Sequence, residues 1–277
     1  MQLHFTKMEG IGNDYIYFDG ISQEIPMDKE FITKISDRHF GIGSDGMIVV
    51  LPSDEYDFKM RMFNCDGSEA MMCGNGIRCF AKFIYDHQLS NKHVLNIETK
   101  AGLRVVELLF DGKECIGAKV DMGKPIINCK DIPCTYPKEQ MINEPVEIGN
   151  REYHLTSISM GNPHTVTFVD DLDSLDLNKI GPEFEHHQLF PESVNTEFVK
   201  VVNDKYVKMR VSERGSGETM ACGTGACAVM YACYLNKYTG KKVTVELLGG
   251  CLEIEYNGDT IIMSGPATNV FTGTIEI

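Results

Sequence analysis

Two cysteines, Cys73 and Cys222, stand apart because their surroundings repeat. The stretch 59–76 (KMRMFNCDGSEAMMCGNG) lies without a gap on 208–225 (KMRVSERGSGETMACGTG), a shift of 149 positions that matches eight residues in 18 and sets Cys-Gly-x-Gly on Cys-Gly-x-Gly. The same shift carries Gly12-Asn13 onto Gly161-Asn162. Such a register marks a duplicated unit, each copy offering one thiol just before a glycine-rich turn. A thiol at the start of a helix faces unpaired backbone N–H groups. Their partial positive charge favours thiolate and binds a carboxylate. The glycines let a ligand approach the backbone. Two such sites suit inversion of a stereocentre at an α-carbon, where one thiol withdraws the hydrogen and the other returns one from the opposite face. Donors on the substrate carboxylate would stabilise the charge that develops there. No cofactor is needed for this chemistry. A structural zinc site is poorly supported, because the chain has no C-x-x-C pair.

An isolated cysteine is more often a small buried apolar residue. That reading is given to Cys79, Cys227 and Cys233, which fall in apolar helical segments, and to Cys65, Cys115, Cys129, Cys134 and Cys251.

The elements that must position the two thiols follow from hydrophobic periodicity. Residues 77–87 and 226–235 are apolar nearly all round, as a helix enclosed by other structure would be. Helical spacing also marks 28–38, and 172–185 is expected to be its counterpart. Alternating or β-branched runs predict strands at 3–7, 15–19, 47–51, 58–63, 94–99, 103–110 and 115–122 in the first copy. In the second they predict strands at 151–159, 165–169, 195–202 and 206–211, with four more between 242 and 275. The stretch 129–146 is read as a variable, Pro-rich connection. Helices and strands do not alternate as βαβ units, which argues against a doubly wound parallel sheet. The expected fold is α+β: two pseudo-symmetric domains, each a mostly antiparallel curled sheet or barrel round a central apolar helix. The first would comprise 1–118 plus 265–277 and carry Cys73. The second would comprise 119–264 and carry Cys222.

A net charge of −14 argues against nucleic acid or an anionic membrane as partner. No apolar run reaches the length of a membrane span. The N-terminal MQLHFTKMEG has neither an apolar core nor a small-residue cleavage site, so a cytoplasmic chain with reduced thiols is expected.

The motifs MEGIGNDY (8–15), FNCDGSE (63–69), CGNGIRC (73–79), MGNPH (160–164), VNTEF (194–198) and ERGSGETMACGTGAC (213–227) span nearly the whole chain. In their order the chain resembles the diaminopimelate epimerases, amino-acid epimerases that work without pyridoxal phosphate. The resemblance implies interconversion of LL- and meso-diaminopimelate, on the route to lysine and peptidoglycan precursors, by a homodimer. It implies Cys73 and Cys222 as the catalytic acid–bases. Gly74, Asn75, Gly223 and Thr224 would hold the reacting carboxylate. Asn13, Asn64, Asn162, Asn195, Glu213 and Arg214 would hold the rest of the substrate, with Arg214 on the distal carboxylate. His164 and Glu213 would tune the thiols. Two positions depart from many relatives: Gly46 stands where a Gln often lies, and Cys65 where an Ala does. Rival readings are a two-thiol racemase acting on another amino acid such as proline, and a non-catalytic amino-acid-binding protein.

Overall fold

The computed structural model describes residues 2–276. In chain order the elements are β1 (Gln2–Gly10), β2 (Asn13–Asp19), α1 (Lys29–Ser36), β3 (Gly46–Leu51), β4 (Phe58–Asn64), α2 (Gly74–Asp86), β5 (Val94–Thr99), β6 (Gly102–Asp111) and β7 (Glu114–Asp121). There follow β8 (Glu144–Ile148), β9 (Arg151–Ser159), β10 (Pro163–Phe168), α3 (Leu177–Glu185), β11 (Asn195–Asn203), β12 (Tyr206–Glu213), β13 (Gly217–Glu218) and α4 (Gly223–Leu235). The chain closes with β14 (Lys242–Leu247), β15 (Gly250–Tyr256), β16 (Ile261–Pro266) and β17 (Thr268–Glu276). This is a mostly antiparallel, few-helix α+β fold. The chain forms two compact units, one reaching to Asp121 and resuming at Ser264, the other running from Met122 to Met263.

In the first unit β1 pairs antiparallel with both β2 and β17, so the two ends of the chain meet in one sheet. A parallel pair, β2 with β3, sets Tyr15 opposite Gly46. The hairpin β3–β4 and the meander β5–β6–β7 complete it. Helix α2 packs against β1, β2, β3, β6 and β7. Residues on β3 alternate: Met47 and Val49 join Phe31, Ile32 and Ile35 of α1 in one core, while Ile48 reaches toward the start of α2.

The second unit repeats the plan. The pair β10–β11 is again parallel, with His164 opposite Asn195, which is the Tyr15–Gly46 pair moved by 149. Helix α4 packs against β9, β10, β11, β12, β14 and β15. On the other side of β11, Phe198 joins Phe184 of α3, Leu155 and Ile148 in a separate core.

Three expectations need correction. The segment 129–146 is not only a connection: β8 lies at its end, paired with β9, and Val146 and Ile148 enter the core. Helix α2 is buried but not wholly apolar. Arg78 and Lys82 are both buried, and carbonyl oxygens receive them: Arg78 donates to Gly74 O and Pro266 O, Lys82 to Cys115 O. Cys65 and Cys251 are exposed. Cys65 follows the end of β4 in a turn. Cys251 takes the outward phase of β15, whose Leu252 and Ile254 point inward.

Candidate active site

In the first unit Cys73 is the residue that caps α2. Its backbone is extended, and its sulfur accepts the N–H of Gly76 at 3.4 Å, meeting one of the helix's unpaired donors. The thiol donates to Asn13 Oδ1 at 3.2 Å. Asn13 is held in turn: its Nδ2 donates to Asp45 Oδ2 at 2.7 Å. Arg38 bridges Asp45 and Asp14 at 2.8 and 2.7 Å, and Lys7 pairs with Asp14 at 2.6 Å. Burial works to raise the Asp14 carboxyl, but the bonds from Arg38 and Lys7 prevail and leave it below its usual value. Asn75 is buried, and Arg78 Nη1 donates to its Oδ1 at 3.0 Å. The Arg78 bonds thus fix the first turn of α2 from inside the helix. Tyr17 donates its hydroxyl to Gly76 O at 2.9 Å.

The second unit places a different set of groups round the same turn. Cys222 caps α4 with extended backbone and is buried. Its sulfur lies 3.6 Å from Thr224 Oγ1. Asn162 Nδ2 donates to that hydroxyl at 3.3 Å, and Asn162 Oδ1 lies 3.0 Å from His164 Nε2. His164 Nδ1 lies 2.6 Å from Glu197 Oε1, with both side chains wholly buried. Asn195 Nδ2 donates to Pro163 O at 2.8 Å, and its Oδ1 accepts the N–H of Arg214 at 2.9 Å. Glu213 accepts from the Thr219 hydroxyl. Burial raises the Glu213 carboxyl, against bonds from Thr219 and Cys222. Burial also pushes the Cys222 thiol well above its usual value, reinforced by the negative charges of Glu213 and Glu197.

Gly46 answers the question its position raised. A Cβ there would sit 1.9 Å from Phe63 O, so no side chain fits on this backbone.

Around Cys73 the fold gathers Asn13, Gly74 and Asn75. Around Cys222 it gathers Asn162, His164, Glu213, Gly223 and Thr224, while Asn195 bridges the loop before β10 to Arg214. Two residues expected to hold substrate are exposed and have partners in their own units. Asn64 is exposed, with Nδ2 on Ser68 Oγ at 3.0 Å. The Arg214 guanidinium is exposed and donates to Glu192 O at 3.0 Å. Glu197, Asp45 and Asp14 were not singled out by sequence. For Glu197 a signal existed. It shares the inward phase of β11 with Asn195 and Val199, and the 149 shift sets it on Ile48, so one copy carries a carboxylate where the other stays apolar.

Comparison with known proteins bears on these sites. The family model described as Diaminopimelate epimerase matches residues 5–127 and 156–270. The diaminopimelate epimerase of Methanococcus maripaludis (strain C5) is 53% identical over 277 residues, covering 99% of this chain and 100% of that protein. The diaminopimelate epimerase of Acetivibrio thermocellus is 52% identical over 278 residues, covering 99% of each. Among solved structures, a hydroxyproline epimerase from Agrobacterium vitis aligns with a TM-score of 0.69 at 12% identity, covering 99% of this chain and 91% of that one. A phenazine biosynthesis protein from Bacillus anthracis aligns with a TM-score of 0.68 at 17% identity over the whole of both chains. At those identities the structural likeness concerns the fold alone.

Proposed function

The chain belongs to the diaminopimelate epimerase family, and on that premise we propose that it interconverts LL- and meso-diaminopimelate by proton transfer at one α-carbon. Cys73 and Cys222 are the acid–base pair in this reading. One thiolate removes the α-hydrogen while the other thiol returns a proton, and the roles reverse with direction. The observation that carries it is the pairing itself: two thiols in equivalent positions, each capping a buried helix whose first turn is Gly-x-Gly. Each helix start offers unpaired N–H groups. Those of Gly74-Asn75 and Gly223-Thr224 would grip the reacting carboxylate and stabilise the charge that spreads onto it in the transition state. This supplies what a carbonyl cofactor would otherwise provide, so the reaction runs without pyridoxal phosphate. Asn13, Asn64, Asn162, Asn195, Glu213 and Arg214 bind the remainder of the substrate, and His164 and Glu213 tune the thiols. For Arg214 this requires the guanidinium to leave Glu192 O for the distal carboxylate. A shorter amino acid would leave these polar groups unpaired, which disfavours it.

The reading extends to a cytoplasmic homodimer in the pathway to lysine and peptidoglycan precursors. Sedimentation of the purified chain tests the dimer. The activity itself is tested with LL-diaminopimelate as sole substrate in deuterated water. Meso product carrying α-deuterium is expected, with no added cofactor. Turnover of free proline but not of LL-diaminopimelate would overturn the reading in favour of a proline-type racemase. Binding without any α-exchange would mark a non-catalytic binding protein.

A further inference from the structure

The line of groups behind Cys222 has a direction, and Glu197 sets it. His164 has both ring nitrogens against oxygen atoms, Glu197 Oε1 at 2.6 Å and Asn162 Oδ1 at 3.0 Å. With a proton on each nitrogen, the ring donates to both oxygens. The second oxygen of Glu197 is buried and meets no hydrogen-bond donor among the described residues. A carboxylate so enclosed persists only beside a compensating positive charge. With the imidazolium in place, Asn162 turns its oxygen to the ring and its Nδ2–H to Thr224 Oγ1, 3.3 Å away. That hydroxyl, its lone pair occupied, has its own O–H to give to Cys222 Sγ at 3.6 Å. A neutral ring with a bare Nε2 would reverse every step. Asn162 would donate to the ring, Thr224 to Asn162, and the sulfur would face lone pairs.

We propose that Glu197 is a positioning residue for Cys222: by keeping His164 doubly protonated it fixes Asn162 and Thr224 so that a hydroxyl donates to the sulfur and stabilises the thiolate. Gly225 makes room for this arrangement, since a Cβ there would sit 2.6 Å from Glu197 Oε1 and 3.2 Å from Cys222 Sγ. The inference deepens the two-thiol reading and rests on it for its purpose, though not for its test.

Among the described residues the charges that act on Cys222 are Glu213 on β12 and Glu197 on β11, with His164 on β10 paired to Glu197; Arg214 turns its guanidinium to Glu192 O. These give the test a sign. If Glu197 acted only as a nearby negative charge, Glu197→Gln would ease ionisation of the thiol and lower its titration midpoint. If it acts through His164, the same variant loses the imidazolium and the Thr224 donor, and the midpoint rises. The experiment is NMR on ligand-free protein labelled with ¹³C at cysteine Cβ and ¹⁵N in histidine, titrated with pH. In the wild type both His164 nitrogens should carry protons. In Glu197→Gln one nitrogen should become bare and the Cys222 midpoint should move up, while that of Cys73 stays put. Thr224→Val should raise the Cys222 midpoint with His164 still doubly protonated, and Thr224→Ser should restore it. This pair keeps the test available should Glu197→Gln fail to fold. A bare nitrogen on His164 in the wild type, a fall of the midpoint in Glu197→Gln, or no rise in Thr224→Val would each overturn the proposal. None of these readouts uses substrate. A Cys222→Ala variant with full turnover would sink the two-thiol reading and leave the titration result standing.

Discussion

At the shift of 149, Ile48 in one copy stands where Glu197 stands in the other, and Tyr15 where His164 does. The backbone scarcely registers the difference. Helices α2 and α4 start and stop at matching positions. The Phe63–Glu69 bridge matches the Ser212–Glu218 pair, and Arg61–Glu69 matches Arg210–Glu218. What changes is the filling behind the thiol. Cys73 is half-buried, with an asparagine oxygen in front of it and Ile48 behind the turn. Cys222 is buried with two carboxylates acting on it, one of them paired with a histidine. A symmetric reaction does not require symmetric surroundings. One backbone turn supplies the same N–H donors twice, and the side chains behind it differ between the copies.

The largest expected effect erases one side of this comparison at a time. Cys73→Ala and Cys222→Ala should each abolish net epimerisation, with losses of at least the 10²–10⁴-fold typical of a positioned acid or base. Steady-state assays in both directions check this. Full turnover in both variants would break the pairing altogether. Mild oxidation offers a milder version: it should inactivate the chain, reductant should restore activity, and substrate should protect the thiols. Failure of substrate to protect would place the cysteines away from it.

Next in size is a contrast between equivalent glycines. A Cβ at Gly225 would press on Glu197 Oε1 at 2.6 Å, an atom tied to His164. At Gly76 it would press on Ile48 Cδ1 at 2.8 Å, the free end of an aliphatic chain that can turn aside. Gly225→Ala should therefore cost about 1–3 kcal/mol of overpacking strain, and Gly76→Ala distinctly less. Urea unfolding of the two variants measures the difference. Equal losses would mean that Glu197 is not held in place.

Most of the frame behind these contrasts was legible in the sequence. The repeated motif located both thiols, and the apolar periodicity located the enclosed helices and the strands. Cores impose such patterns because burial is indifferent to detail beyond polarity and spacing. What escaped notice was polar and long-range. Arg78 and Lys82 look like solvated charges on a helix, and only the carbonyls that tertiary structure brings to them make burial tolerable. Strand β8 hid in a segment whose prolines mark turns. Residue type alone makes Cys251 a buried residue, whereas its phase on an alternating strand places it outside. Asp45 matters through Asn13, 32 positions away, and Asp14 through Arg38, 24 positions away, and no local pattern announces those contacts.

The paired arginines give a smaller test. Arg61 and Glu69 form a partly exposed bridge, their side chains 32% and 29% accessible. Exposed pairs of this kind contribute about 0.2–1 kcal/mol, which Arg61→Met should cost. Arg210 is less accessible and donates besides to Leu172 O at 2.9 Å and Leu175 O at 2.8 Å, tying down the segment that leads into α3. Arg210→Met should lose those charged hydrogen bonds too, and so cost more. Equal unfolding midpoints for the two variants would show that the segment before α3 is held by other means.

The smallest effect concerns Glu213, which stands at the position of Asn64 in the other copy. Burial raises its carboxyl in the folded chain. Between the unfolded value, about 4.3, and the raised folded value, the folded state binds more protons than the unfolded one. Stability therefore falls as pH climbs through that window and levels off above it. Glu213→Gln removes the ionisation while keeping an oxygen for the Thr219 hydroxyl. The variant should melt at a higher temperature than the wild type at pH 7, and the two should converge below about pH 4, where the carboxyl is protonated in both states. Asn64→Asp is the mirror experiment. Its carboxyl would be exposed, so the melting temperature should stay close to that of the wild type at both pH values. If Glu213→Gln gained nothing at pH 7, burial would not be what sets this carboxyl, and the contrast between the copies would rest on Glu197 and His164 alone.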